Sequence, residues 1–470
     1  MLWGAGAGAV GERIACSAVV ATAGRVRAWL ARIRRRPLLA STVLGAAFVL
    51  GFVLVRLAAA TSLGGFVVAS GDFVDPARTP DRIEVVAETA GYDGQFVYRL
   101  AVDPWTAEPA EHGIRLDNPA YRHQRIATPV LAWTVGQLPG VSTALALVLV
   151  NATALLVAAW FGGRLAADAG RHPVCGLLLA FPACMPISLG RDLTEPVAWA
   201  GVLAGLWCAR RGRWAAAGLA LTVAVLARET SLVVVVGLAA GAVVRAARSG
   251  SRSGSQSTPR GGTPGEVADD PGPSGPGVTG TAVIAGRATR AGTSRRAGTG
   301  GWTASPGWLA VPLLMGLGWQ AALWQIWGSL PLRSGGAGNL GGPPLLGVFG
   351  SVVADLPGFT STAISNPLVG VVVFAERIAV LALVAYAGLA LARGRGMLSP
   401  GEPVAWALAV VMALSLRAWS TDVQFLRAAN EAVGLSLLVA VGDDRPIGRQ
   451  ARWLGATLVI VVTLMYAVRQ

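Results

Sequence analysis

Apolar residues run along this chain in long blocks separated by short polar turns, rather than alternating or recurring on one face only. Such blocks mark helices that cross a bilayer, for which about 20 apolar residues suffice. Accepting shorter blocks as well, the pattern predicts eleven spans: 38–59, 141–161, 173–189, 194–208, 214–227, 231–244, 308–327, 368–391, 403–416, 424–441 and 454–468. The apolar stretch 126–138 is too brief to cross and is expected as an interfacial or half-buried helix. The expected fold is therefore an all-α, polytopic membrane helical bundle.

Two long interruptions divide the pattern. Residues 61–140 form a large loop after the first span. Residues 246–306 contain "SGSRSGSQSTPRGGTPGEVADDPGPSGPGVTG", rich in Gly, Ser, Thr, Pro and Arg. That composition buries too little apolar surface to offset the entropy of ordering, so a disordered linker is expected. The resulting organisation is a basic N-terminal arm (1–37), a six-span core (38–245), the linker, and a five-span module (307–470).

Arginine placement orients the spans. Seven arginines occur by Arg36, ahead of the first span, which should keep that end in the cytoplasm. "AAATS" after the span is similar to a cleavage site, but the basic arm and the apolar run are too long for a secretory signal. A signal anchor is expected, and with it a multi-pass cell-membrane protein. Threading onward puts Arg164 and Arg171, Arg210, Arg211 and Arg213, Arg393 and Arg395, and Arg445, Arg449 and Arg452 on the cytoplasmic side with the linker.

Composition narrows the function classes. The chain is 53% apolar and 14% charged, with a mean hydropathy of +0.56, against about 25% charged in soluble domains. The formal net charge is +14 and every basic residue is arginine. These arginines lie at the ends of apolar runs and in the linker, not interleaved with aromatics, so no nucleic-acid partner is expected. Four cysteines and three histidines show no metal-ligand spacing, and with no carboxylate cluster an essential metal or other cofactor is not expected.

The polar residues that remain fall on the extracytoplasmic side. The loop holds "AGYDGQFVYRLAVDPW" and "RLDNPAYRHQRIATPVLAW"; "GRDLTEP", "ARETS" and "LRAWSTDVQFLRAANE" lie at span ends on the same face. Charges at such positions are costly and often functional. In the first stretch Gly91 and Gly94 bracket Asp93. Phe96, Val97, Leu100 and Ala101 then follow helical spacing until Asp103-Pro104 ends it. Asp93 is thus expected at a helix N-cap, where it is either a structural cap or a catalytic carboxylate.

"GYDGQFVYRLAVDP" followed by "DNPAYRHQRIATPVLAW" resembles the first extracytoplasmic loop of bacterial GT-C superfamily membrane glycosyltransferases. The layout is also similar to that of the GPI mannosyltransferases, and "ARETS" to a basic-acidic pair at a span end in these proteins. The resemblance covers the first six or seven spans; the last four are similar only in kind. It implies interfacial helices in the first loop, a polyprenyl-phosphate sugar donor, a glycan or lipid acceptor, an inverting transfer, and a loop Asp as base. Asp93 matches that position. No Asp-Asp or Glu-Asp pair stands beside it, so Asp93 and Asp117 are both candidates for the base. Tyr92, Gln95, Tyr98, Asn118, Tyr121, Asp192, Glu195 and Glu229 are candidate substrate-binding residues. Arg122, Arg125, Arg228 and Arg427 are candidates for a phosphate clamp, since a guanidinium fork matches phosphate oxygens. The lack of a nucleotide-binding Gly-rich loop agrees with a lipid-linked donor. The alternative from another class is a transporter or flippase of lipid-linked or small anionic substrates, for which Pro182 and Pro186 would interrupt the third span.

Overall fold

The computed structural model describes residues 36–253, 306–331, 367–415 and 424–467 apart from 61, 82, 87–90, 397, 398 and 400, together with 343, 345, 346, 348 and 350. Its architecture is helical, with a single two-residue hairpin among the described residues. Among the described residues four helices are long and apolar enough to cross a membrane: α1 (Pro37–Ala60), α5 (Thr143–Asp168), the helix ending in α11 (Ala310–Trp327), and α12 (Pro367–Ala392). Shorter apolar helices follow the remaining blocks: α8 (Glu195–Arg210), α9 (Trp214–Ala227), α10 (Leu232–Ser253), α13 (Glu402–Ser415) and α15 (Asn430–Gly442). The short α14 (Gln424–Ala428) precedes α15, and α16 (Pro446–Ala467) follows it.

Two differences from the sequence pattern stand out. The block at 173–189 is not one helix. It is a 3-10 turn (Pro173–Gly176), then α6 (Leu177–Ala180) and α7 (Cys184–Leu189), parted around Pro182. Proline removes a backbone donor and obstructs the preceding turn, so an apolar run holding three prolines does not stay helical. The helix α10 also continues to Ser253, into the stretch expected as linker; residues 254–305 and the arm 1–35 lie outside the described residues.

Helices α8 and α15 form the buried centre. In α8 every residue before Arg210 is buried, and in α15 every residue before Gly442. They meet where Trp199 packs on Gly434, a position at which any Cβ would run into the indole ring. The indole Nε1 of Trp199 donates to the Leu179 carbonyl at 2.6 Å, which satisfies its one polar group inside the core. Around this pair α5, α9, α13 and α16 complete an apolar core dominated by Leu, Val and Ala.

The loop between α1 and α5 is folded onto one end of this bundle. It contains α2 (Gly94–Val102), the hairpin β1 (Ala110–Glu111) and β2 (Ile114–Arg115), α3 (Pro119–His123) and α4 (Ala127–Gly136). The last of these is the short helix expected near 126–138. Buried Arg56, in the last turns of α1, ties loop to bundle. Its Nε donates to the Gly190 carbonyl at 3.2 Å and its Nη2 to the Gly65 carbonyl at 3.1 Å.

Candidate active site

The stretch around Asp93 is held by its backbone. Gly91 has φ +66, the left-handed region that glycine adopts without strain. The Tyr92 N–H then donates to the Val68 carbonyl at 2.8 Å. Gly94 opens α2 against the carbonyls of Val67 and Arg191, too close for any side chain. Asp93 precedes α2 as expected, but it is not a cap through its side chain. Its backbone is already helical (φ −56, ψ −25) and its carboxylate makes no bond to the helix N–H groups.

That carboxylate is turned instead to three arginines. Arg122 Nη1 donates to Asp93 Oδ1 at 2.8 Å and Arg427 Nη1 to Oδ2 at 2.9 Å, while Arg125 Nη1 lies 3.7 Å away. Arg122 also grips Asp117 with two bonds of 2.8 and 2.6 Å and lies 4.1 Å over the Phe96 ring. Arg125 grips Glu229 at 2.9 and 2.6 Å and donates to the Tyr121 hydroxyl at 2.8 Å. Arg427 reaches inward to Glu195 Oε1 at 2.6 Å, which also accepts from Arg228 Nη1 at 2.5 Å. Arg427 donates to the Tyr92 hydroxyl as well, at 3.2 Å. Arg228 donates to the Thr230 hydroxyl at 2.8 Å and to the Arg427 carbonyl at 2.7 Å. Thr230 in turn donates to Glu431 at 2.7 Å.

The result is one continuous network of five carboxylates and four guanidiniums, drawn from the loop, the α9–α10 turn, α14 and the first turns of α8 and α15. Glu195 and Glu431 each sit in the first turn of a buried helix, where the positive helix end favours a carboxylate. The network grades outward from Glu195, fully buried, to Asp93 at 27% and Asp117 at 35% side-chain exposure.

Four candidates stand outside it. Gln95 is buried and accepts the Ser70 N–H at 3.0 Å, and Tyr98 is buried with its hydroxyl accepting the Asp81 N–H at 3.3 Å. Both fix the loop, because α2 turns those positions away from Asp93. Asn118 caps α3 by accepting the Tyr121 N–H at 3.2 Å. Asp192 is fully buried in a separate place, nearest in charge to Arg56 and beside Asn151. Burial pushes its carboxyl well above the ordinary range, and Arg56 and Asn151 offset that only in part. Arg417 and Asp422, on the same expected face, lie outside the described residues.

Glu431, Thr230 and Arg191 belong here and were not among the candidates. Glu431 is four residues after Arg427, one helical turn, which is a legible signal. Arg191 lies beside Asp192 in "GRDLTEP"; its guanidinium is 4.4 Å from the centre of the Tyr92 ring, and it pairs with no carboxylate among the described residues. Elsewhere in the loop Asp103, Glu111 and His112 offer ligand atoms within 4.8 Å of one another. Glu111 is already committed there to Arg99 at 2.9 Å and Thr106 at 2.8 Å.

The electrostatics make a pH prediction. Burial alone would raise the Asp93 carboxyl, but Arg427, Arg122 and Arg125 outweigh it and hold it far below its ordinary value of 3.8. A depressed carboxyl contributes stability that is full above the unfolded value and is lost as pH falls toward the folded one. The stability difference between the parent and Asp93→Asn is therefore expected to be constant from about pH 5 to 8 and to shrink below about pH 4. Thermal unfolding in detergent across that range reads it; a difference that changes between pH 6 and 8 contradicts the assignment. No family model matches the chain, and comparison with curated proteins and with solved structures found no similar one.

Proposed function

We propose that the chain is an eleven-span, GT-C-type membrane glycosyltransferase that moves a sugar from a polyprenyl-phosphate donor to an extracytoplasmic glycan or lipid acceptor with inversion. The observation that carries this reading is that the part-exposed carboxylate Asp93, at the outer edge of a buried ion network, adjoins Tyr92, whose ring centre lies 4.4 Å from the guanidinium of Arg191, an arginine with no carboxylate partner among the described residues. A displacement at the sugar anomeric carbon needs those two groups together. The base takes the acceptor hydroxyl proton as the new C–O bond forms, and a cation holds the phosphate oxygen as the old C–O bond breaks. Asp93 takes the first role and receives the proton. Arg191, with Arg427 and Arg122, takes the second.

A carboxylate bound to two arginines is a weak base. In this mechanism the donor phosphate draws Arg122 and Arg427 toward itself on binding, and Asp93 becomes more basic as its partners leave. Asp117, whose one arginine partner is Arg122 and whose Oδ1 also accepts the Asn118 N–H at 2.7 Å, is the second candidate base and would be exposed by the same movement.

The test is transfer of radiolabelled sugar from a polyprenyl-phosphate donor in membranes. Arg191→Ala is expected to raise the donor KM by about 10- to 100-fold, the usual worth of a charged hydrogen bond, with a smaller change in kcat. Arg191→Lys should recover part of it. An unchanged KM in Arg191→Ala removes Arg191 from the phosphate site. The transporter reading is supported by the interrupted segment 173–189, whose Cys184 thiol contacts Asn430 at 3.0 Å. Uptake of a lipid-linked sugar into vesicles without any transfer would select it.

A further inference from the structure

At the far end of the bundle from Asp93, the arginines fall into two groups. Arg171 pairs with Asp444, Arg210 grips Glu402 at 2.7 and 2.8 Å, and Arg211 pairs with Asp168 at 2.5 Å. Arg393 and Arg395, like Arg213, Arg445 and Arg449, make no side-chain hydrogen bond or ion pair among the described residues, but of these Arg393 and Arg395 line a cleft, and Arg395 feels Asp443 only at longer range. They stand just past the last turn of α12, where Gly394 (φ +68) and Gly396 (φ +75) turn the chain back over the helix end.

These two arginines border a cleft of about 420 Å³ between α12 and α16. That volume lies within the range of small-molecule sites. Leu383, Leu389, Ile447 and Leu454 make its walls. Leu389 is 56% and Ile447 51% exposed, so the walls continue onto helix faces that a bilayer would cover. The one carboxylate in the cleft, Asp443, is committed. Its Oδ2 accepts from the Tyr386 hydroxyl at 2.9 Å and its Oδ1 from the Arg445 N–H at 3.1 Å. Arg452 next to it is committed too, donating to the carbonyls of Ala440 at 2.6 Å and Asp443 at 2.8 Å. The cleft thus has apolar walls, two uncommitted guanidiniums at its polar end and a net positive charge. Helix α15 separates it from the ion network: Glu431 is in the first turn of that helix and Asp443 follows its last.

We propose that this cleft binds an anionic glycerophospholipid of the adjacent leaflet, with an acyl chain along the apolar walls and the phosphate on Arg393 and Arg395. Unpaired guanidiniums at the membrane surface attract anionic headgroups, and the fork geometry suits a phosphate. The site does not depend on the reaction proposed above.

Native mass spectrometry of the full chain, released from detergent with added phosphatidylglycerol or phosphatidylcholine, tests it. Phosphatidylglycerol is expected to bind on the order of tenfold more tightly, from two arginines near the surface. The double variant R393Q/R395Q should abolish that preference and unfold at the parent temperature, since neither side chain holds another residue. The control pair R445Q/R449Q, at the same end but outside the polar end of the cleft, should keep it. An unchanged preference in R393Q/R395Q, or an equal loss in the control pair, overturns the proposal. Full competition by glycerol phosphate, which has no acyl chain, would show a soluble phosphate site instead and overturn it as well.

Discussion

Asp93→Asn is expected to lower sugar transfer from a polyprenyl-phosphate donor by ~10²–10⁴-fold, the usual worth of a general base, while the protein still inserts and binds donor. The substitution keeps the shape and one carbonyl oxygen for Arg122 or Arg427, so the three arginines stay near their places. It removes the ability to accept the proton, together with the negative charge and one of the two oxygens that the arginines bond. A purely capping aspartate would give a small effect, and that possibility is closed by geometry, because the Asp93 carboxylate caps nothing. Asp117→Asn separates the two candidate bases. Asp117 touches Arg122 alone among the arginines and is more exposed, so its substitution is expected to act mainly on donor KM through Arg122. A dead Asp117→Asn with an active Asp93→Asn would move the base to the second turn. Full activity in both sinks the transfer mechanism and leaves the transporter reading.

Glu195→Gln is expected to cost about 3–5 kcal/mol of stability, as for one partner removed from a buried ion pair. Glu195 is fully buried, and a single oxygen, Oε1, accepts from both Arg228 and Arg427. Glutamine can still accept a bond there but leaves two guanidiniums without their shared counter-charge. The neighbouring carboxylates do not substitute: Glu431 lies 4.0 Å from Arg228, and Asp93 is already divided between Arg122 and Arg427. Unfolding followed by tryptophan fluorescence in detergent measures the loss. The double variant Glu195→Gln/Arg228→Met should be less destabilised than the sum of the single changes, because it removes charge on both sides. A Glu195→Gln protein as stable as the parent would mean that the inner half of the network contributes nothing to the fold.

The helical, membrane-type character of the protein was determined by the sequence alone, as were the positions of most helices. Unbroken apolar blocks carry that information locally: the block at 38–59 is Pro37–Ala60 in the structure, and 368–391 is Pro367–Ala392. The short α2 was equally legible, since two glycines start it and Asp103-Pro104 stops it. The break at 173–189 needed the prolines to be weighed above the apolar content. What only the tertiary structure decided is which polar residues meet. Asp93 and Arg427 are 334 positions apart, and Glu195 and Arg427 are 232 apart. No periodicity relates them; they meet because α8 and α15, both buried along almost their whole length and touching at Trp199 and Gly434, bring their first turns under the loop. The same packing sends Asp192, three residues before Glu195, to a different buried place against Arg56 and Asn151. It leaves Arg191 over the Tyr92 ring with no carboxylate among the described residues to hold it. A charged residue at a span end can be recognised from its neighbours in the chain, but its partner is set by how helices distant in sequence fill one core.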